Sequence, residues 1–332
     1  MRVKLNKENS IGKMIVVVIA VAIMLLLVLH HNPLAEPKQE WIKKIAAVII
    51  DIVATIILLA KYASIKQLLW ELFQNRRLIW KLSKNDFKTK YAGSYLGVIW
   101  AFIQPIVTIL VYWFVFQVIF QSRGEALGEG IEIPFVLYLT AGLVPWLYFS
   151  EALMSGTDSF RVYNYLVKKV VFKVSILPII RVIAATFVHV AFVAFILILN
   201  IALGNFPTIY WIQILYYSFC MFVFSLAFTY ATSSMVVFFK DLTQIINIVL
   251  QVGVWAAPIM WSIKQFPEKY RIFIKLNPVY YIINGYRTAL YEKTWFWQDF
   301  YSTMYFWIIT IGVFALGILI FKRLKPHFAD VL

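Results

Sequence analysis

Residues 86–120 read DFKTKYAGSYLGVIWAFIQPIVTILVYWFVFQVIF, and they carry the clearest structural signal in the chain. The segment begins with basic and polar residues and continues, without a loop, into an apolar run. A helix needs about 20 predominantly apolar residues to cross the hydrocarbon core of a bilayer, and this run is long enough. Two glycines stand at its entrance and a proline lies inside it, namely Gly93, Gly97 and Pro105. We therefore predict a membrane-spanning helix that begins near Gly97.

The composition independently indicates an integral membrane protein. Hydrophobic residues make up 62% of the 332 residues, only 14% are charged, and the mean hydropathy is +0.79. A soluble chain of this length could not bury so much apolar surface. The net charge is +15, which in a soluble protein would raise nucleic acid as a partner. Here we expect basic residues beside membrane spans on the cytoplasmic side, and no nucleic-acid partner.

Hydropathy predicts about eight spans, at residues 14–29, 45–60, 97–120, 134–154, 176–203, 211–239, 245–261 and 303–321. The first follows several lysines and has the charge pattern of a signal peptide. However, two histidines, an asparagine and a proline follow it instead of a small-residue cleavage site. We therefore expect a retained span. Residues 1–61 then form a tail and an accessory two-span hairpin, and residues 62–332 form the main transmembrane domain.

The lysines and arginines predict the orientation. They cluster before the first span, between the second and third, and after the fourth, sixth and eighth. These regions share one side if the spans alternate, so that side and both termini are expected to be cytoplasmic. The outer segment 262–300 does not follow the rule, because it is net positive through Lys264, Lys269, Arg271, Lys275, Arg287 and Lys293. Two explanations stay open: side chains that reach lipid phosphates, or charge that serves a substrate.

Several motifs resemble those of the polysaccharide-export permeases of the ABC-2 type. In the 86–120 segment they are Tyr91, Gly93, Ser94, Leu96, Gly97, Trp100 and Pro105; further along they are Asp241, Pro258, Asn277 and Pro278. The resemblance covers roughly residues 78–332. It implies an all-α integral membrane protein whose ABC-2 type transmembrane domain has six core spans, an interfacial amphipathic helix and a re-entrant outer hairpin. The N-terminal two-span hairpin departs from that pattern, and no role follows for it.

The segment 65–82 has a helical period but is too charged to span. Its apolar residues form one stripe, made of Ile65, Leu68, Leu69, Leu72 and Phe73. This pattern predicts a helix lying along the inner membrane surface. An ordinary interfacial anchor explains this pattern. The resemblance offers a second explanation, which is compatible with the first: residues 62–90 correspond to the family's cytosolic interface helix, which helps to seat an ATPase.

The loop 159–175 mixes apolar and basic residues on the predicted cytoplasmic side. A short helix here would present an apolar ridge to a soluble partner, whereas the alternative is a basic loop held at anionic lipid. The resemblance implies that the family's coupling helix, which docks in a cleft of the nucleotide-binding subunit, lies in this loop. On that basis the ATPase-coupling candidates are Tyr163, Tyr165, Leu166, Lys168 and Lys169.

The chain shows no motif for catalysis, nucleotide binding or metal binding. It has no GxxxxGK[ST] phosphate loop, and its four histidines lack metal-ligand spacing. The predicted intramembrane carboxylates, Asp51 and Glu151, are too few for a proton relay and are each expected to face protein or water. We therefore expect no enzyme activity and no cofactor or metal in this chain. The resemblance assigns ATP and Mg to a separate ATPase subunit.

Aromatic residues are abundant, with 28 Phe, 19 Tyr and 12 Trp. Membrane packing and interfacial belts account for most of them. Rings also pack against the apolar faces of sugars, and tyrosine hydroxyls can hydrogen-bond them. The candidates for lining a glycan pathway are Tyr112, Trp113, Phe116, Trp255, Tyr280, Tyr281 and Tyr286.

Taken with these motifs, the resemblance implies the permease subunit of an ATP-driven ABC exporter in the bacterial plasma membrane. The implied cargo is an undecaprenyl-diphosphate-linked polymer, and the implied partners are a second copy of the chain, two ABC ATPase subunits, the lipid-linked glycopolymer and membrane lipid. The strings YWFVF at 112–116 and NPVYY at 277–281 favour wall teichoic acid as the polymer. O-antigen or capsular polysaccharide is the alternative, and a drug-exporting ABC-2 permease or a lipid flippase outside the ABC class stays open.

Overall fold

A computed structural model describes residues 2–29, 37–121, 125–127, 131–168 and 173–332, and these are almost entirely helical. The N-terminal region consists of α1 (Arg2–Leu29) and α2 (Pro37–Gln74), which pack against each other. The apolar part of α1 is almost completely exposed, as expected for a helix surrounded by lipid. α2 bends by 73° between Lys44–Ala60 and Tyr62–Gln74. The second predicted span and the start of the amphipathic segment are therefore two arms of one bent helix.

Six segments of the described chain are long and apolar enough to cross a membrane, and the bent α2 would supply a seventh. The six are Ser10–Leu29, Gly97–Ile119, Phe135–Thr157, Val174–Ala202, Ile209–Val236 and Phe300–His327. They confirm the prediction of an all-α membrane protein with several core spans. The exception to the helical content is a small antiparallel pair, β1 (Glu125–Leu127) with β2 (Ile131–Ile133), in the predicted outer loop.

The prediction of a full span at residues 245–261 is wrong, because the helix in this region is too short to cross a membrane. α10 (Leu242–Ala256) has 15 residues, or about 22 Å at 1.5 Å per residue, which is less than the roughly 30 Å of a hydrocarbon core. It ends because Ala257 adopts an extended conformation, and the residue before a proline, here Pro258, is disfavoured in the helical region.

The core is built around α5 (Phe135–Thr157), most of which is buried. It packs against α8 (Leu177–Ala202) and α9 (Gln213–Val236), and α13 (Phe300–Leu324) packs against α9 and α2. The contact between α13 and α9 needs a glycine, because a Cβ on Gly317 would lie 2.7 Å from the carbonyl oxygen of Ala227. α4 (Trp100–Trp113), extended by a π-helical turn at Phe114–Ile119, lies at the side of this core.

The segment before the last span, for which we predicted a re-entrant hairpin, consists of short helices. α11 (Arg271–Lys275) leads to α12 (Pro278–Arg287), and a π-helical turn follows at Thr288–Glu292. The Asn277 side chain caps α12 by accepting a hydrogen bond from the amide of Val279 at 3.1 Å. Pro278 is at the first position, where a helix tolerates a missing N–H. α12 is buried against α5 and α9.

Short helices form a layer at the predicted cytoplasmic end. α3 (Arg76–Lys90) follows α2 and packs along α8. α6 (Ser159–Val162) and α7 (Asn164–Val167) follow α5, and α14 (Phe328–Val331) ends the chain. In the amphipathic arm of α2, Leu68 is buried while Leu69 and Phe73 remain exposed. The predicted apolar stripe is therefore only partly buried in the protein.

Candidate translocation cavity and cytoplasmic layer

A partly open cavity of about 780 Å³ lies between α4, α5, α8 and α10. One wall is a stripe on α4, where Trp100, Gln104, Thr108 and Tyr112 recur every fourth residue and so share a face. The stripe covers about 18 Å of helix, at 1.5 Å per residue. The length of this stripe is more than half of the roughly 30 Å thickness of a typical hydrocarbon core.

The opposite wall comes from α10 and α5. α10 contributes Asn247 and Gln251, which are one turn apart and 3.4 Å from each other. α10 approaches α5 closely because Gly253 has no side chain; a Cβ there would lie 2.6 Å from the Trp146 ring. Trp146 and Ser150 of α5 also line the cavity. The walls thus combine indole and phenol rings with neutral amides and hydroxyls.

The charge in the cavity wall is internally balanced. Among the described residues that line it, only Lys90 and Glu151 are charged, and the Lys90 Nζ lies 2.6 Å from Glu151 Oε1. Burial lowers the pKa of Lys90, but the Glu151 carboxylate and Tyr91 outweigh that effect, so the pKa lies above its usual value. A neutral wall of this kind can hydrogen-bond a polyhydroxylated chain and pack against its apolar faces.

The predicted pathway aromatics are distributed between the cavity and the core. Tyr112 lines the cavity, and its ring lies 6.2 Å from that of Trp255, edge to face. Phe116 stacks on Phe135 at 5.8 Å, and Trp113 is partly buried against the core. Neither of these two is among the residues that line the cavity.

The tyrosines of α12 are inside the protein. Tyr280 is half-buried, and Tyr281 is buried with its hydroxyl 2.9 Å from Thr303 Oγ1. Tyr286 is fully buried and lies 2.6 Å from Ser218 Oγ and 3.1 Å from His189 Nε2. Sequence reasoning instead missed Gln104, Thr108, Asn247 and Gln251. The signal for these was available, because polar residues four positions apart in an apolar helix mark one polar face.

Arg287 is buried and clamps the end of α10. Its guanidinium donates to the carbonyl oxygens of Pro258 at 2.7 Å, Ile259 at 2.9 Å and Tyr138 at 3.4 Å. It also lies 3.5 Å from the centroid of the Tyr138 ring. Pro258 and Ile259 lie just beyond the end of α10, where buried carbonyls have no partner within a helix and need such donors. One residue of the basic outer segment thus has a structural use.

Arg271 of the same outer segment also bonds backbone. It donates to the carbonyls of Phe266 and Lys264, each at 2.9 Å. Lys264, Lys269 and Lys275 are exposed. Only part of the positive charge of the outer segment is therefore exposed, because its two arginines are bonded to backbone carbonyls.

The remaining motif residues shape the backbone around the cavity. Gly93 and Gly97 have φ values of +86° and +53°, and no other atom lies within 4 Å of a Cβ built at either position. Conformation rather than space therefore requires glycine there. Trp100 and Pro105 line the cavity, and Asp241 precedes the first residue of α10.

Some of the ATPase-coupling candidates point into the protein, and others are exposed. Tyr163 points inward, where its hydroxyl donates to the Asp86 carboxylate of α3, and Leu166 packs partly against the core. Tyr165 is 56% exposed, and Lys168 is exposed as well. Lys169 lies outside the described residues. Val162, which the sequence did not single out, is 50% exposed beside Tyr165.

An almost entirely helical membrane domain with a neutral cavity between its spans has the architecture that a transport domain requires. The chain belongs to the ABC-2 type transporter family, whose pattern matches residues 77–291. It is therefore a multi-pass membrane subunit of a transporter. The matched range leaves out residues 1–76 and 292–332.

Two similar proteins have been described as exporters. The O-antigen export system permease protein RfbA of Klebsiella pneumoniae is 25% identical over 255 residues, which cover 76% of this chain and 93% of that protein. The protein of the same name from Myxococcus xanthus is 28% identical over 228 residues, which cover 68% of this chain and 85% of that protein.

Proposed function

We propose that this chain is the permease subunit of a bacterial plasma-membrane ABC exporter for an uncharged, lipid-linked polysaccharide of the O-antigen type. The observation that carries the proposal is the neutral wall of the cavity. Sugars need hydrogen-bonding groups and aromatic faces, and the wall offers amides, hydroxyls and rings along most of its length. The names of the similar proteins support the same substrate class.

Wall teichoic acid, which the sequence favoured, fits this cavity less well. A teichoic acid carries repeated phosphates, and moving a charge out of water is expensive unless a counter-charge receives it. The one lysine among the described residues of the wall, Lys90, is already paired with Glu151. The basic outer segment offered a counterargument, but two of its arginines bond backbone carbonyls. The names of the similar proteins also favour the O-antigen alternative.

A second copy of the chain would complete the passage. Beside the cavity, apolar side chains of α4 and α10 are exposed, among them Leu110, Val111, Val249 and Val252. Two chains apposed along these helices would close the open side and cover this apolar surface. ATP would be hydrolysed by two separate ATPase subunits that dock on the cytoplasmic side, against Val162 and Tyr165.

Export of two matched polymers tests the proposal. A strain without its own exporter would express the chain with its ABC ATPase and receive either a neutral lipid-linked glycan or a polyol-phosphate polymer on the same lipid. We expect the neutral glycan to reach the outer surface faster. Gln104→Lys should raise export of the phosphate polymer, whereas Gln74→Lys, at an exposed site on α2 away from the cavity, should not. Wild-type export of the phosphate polymer alone would overturn the proposed substrate class.

A further inference from the structure

The helices α6 and α7 have an inner side that is fixed to three other elements. Phe160 of α6 is fully buried, stacks on Phe321 of α13 at 5.9 Å, and contacts Phe328 of α14 with the two rings tilted and their centroids 4.8 Å apart. Tyr163, between α6 and α7, reaches Asp86 of α3. The outer side, with Val162 and Tyr165, stays exposed. A force applied to the exposed side of α6 and α7 therefore reaches the rest of the protein through the contacts of Phe160 and Tyr163.

Asp86 connects two partners that do not belong to its own helix. It is buried on the face of α3 that also buries Ile79 and Ser83. Its Oδ1 accepts the Tyr163 hydroxyl, and its Oδ2 pairs with Arg181 Nη1 of α8 at 3.3 Å. The Arg181 guanidinium also lies 5.4 Å from the centroid of the Tyr163 ring. Burial, with the Asp86 carboxylate, raises the pKa of Tyr163, so its hydroxyl keeps its proton and remains a donor.

α3 leads directly to the cavity. It ends at Lys90, which pairs with Glu151 at the cavity wall. The backbone then passes through the left-handed turns at Gly93 and Gly97 into α4, whose polar stripe forms one wall. A displacement of α3 therefore moves the start of α4 and the Lys90 end of the cavity together.

We propose that Asp86, Tyr163 and Arg181 form the link through which movement of the ATPase-docking helices reaches α3 and the cavity wall. This inference rests on the proposed function, because docking of an ATPase on α6 and α7 is part of that proposal. The three are positioning residues: they contact neither nucleotide nor polymer. Their joint task is to make α3 follow the docking helices and not slide along α8.

The test separates assembly from coupling in the purified complex of this chain with its ATPase, reconstituted in liposomes. Tyr163→Phe removes one hydroxyl and keeps the ring; Asp86→Asn keeps the shape and removes the charge. We expect both variants to retain the ATPase subunit and its ATP turnover, and to lower polymer exported per ATP by about tenfold, which is in the range of measured coupling effects. The double variant should be no worse than the more affected single variant, because the two groups form one contact.

Two control variants test whether the effect is specific to this contact. Tyr270→Phe removes a hydroxyl from an exposed tyrosine outside the docking helices, and Ser83→Ala changes a buried residue on the same face of α3 as Asp86. Both should leave polymer export per ATP unchanged. If Tyr163→Phe also leaves that ratio unchanged, or if it lowers the amount of bound ATPase, the link is refuted.

A separate variant examines the docking surface. Tyr165→Asp with Val162→Asp puts two charges on the exposed side and should release the ATPase subunit during purification. If the ATPase stays bound, the proposed docking site is wrong. The ratio measured for Tyr163→Phe would still decide whether the link exists, so the two failures are distinguishable.

Discussion

α4 and α12 both carry tyrosines and amides through apolar surroundings, but they use them in opposite ways. On α4, Gln104 is exposed in the cavity and Tyr112 lines it. On α12, Tyr286 is buried and hydrogen-bonded, and Asn277 caps the helix. Residue type alone therefore does not distinguish a pathway from a core in a membrane protein. Exposure to the cavity, as for Gln104, or full burial inside the protein, as for Tyr286, does distinguish them.

The largest stability effect should follow from Arg287→Met, which keeps much of the length of the side chain and removes its donors. The carbonyls of Pro258, Ile259 and Tyr138 would lose a charged hydrogen-bond donor inside the protein. We expect a loss of about 3 kcal/mol, seen as a lower melting temperature in detergent. Arg271→Met, at a half-exposed site in the same outer segment, is the control and should lose less. Equal melting temperatures for Arg287→Met and wild type would contradict the clamp.

A smaller effect should separate the two kinds of tyrosine. Tyr286→Phe removes a hydroxyl that contacts Ser218 and His189, and it should lower stability by about 1 kcal/mol without changing which polymer is exported. Tyr112→Phe should leave stability unchanged and slow export. The reverse pattern, with export slowed only by Tyr286→Phe, would place the pathway at α12.

An effect no larger than that of Tyr286→Phe should come from the turn that leads into α4. Gly97→Ala places a side chain at a φ of +53°, and the left-handed region costs an ordinary residue roughly 1 kcal/mol. Gly312→Ala in α13 is the matched control, since a Cβ there meets no atom within 4 Å and the φ is ordinary. Thermal unfolding of both variants in detergent checks this. If Gly97→Ala melts at the same temperature as the wild type, the left-handed conformation at Gly97 is not required.

Much of the fold was predictable because the length of an apolar run is a property of the sequence itself. The segments from Gly97–Ile119 to Phe300–His327 were predicted within a few residues, apart from the helix that stops at Ala256. Asn277 and Pro278, which the sequence analysis named only as motif residues, start a helix as its cap and first residue. An asparagine and a proline also occur together in turns, so the sequence alone does not choose between the two roles.

The site was less predictable because it depends on contacts between distant residues. Asp86 and Tyr163 are far apart in sequence, and nothing local to either indicates the bond between them. The same holds for Arg287, which reads as an outer basic residue and is buried at the end of α10. By contrast, the stripe of Trp100, Gln104, Thr108 and Tyr112 follows from helical spacing alone.

Cross-linking of a polymer during export tests the central claim most directly. A photoreactive residue would replace either Gln104 on α4 or Tyr280 on α12, in the complex supplied with a neutral lipid-linked glycan and ATP. A third position, Ile198 on an exposed face of α8, would report cross-linking to anything in the membrane. We predict that glycan is captured at position 104 and not at 280 or 198. Capture at 280 with none at 104 would contradict the assignment of the cavity as the translocation pathway.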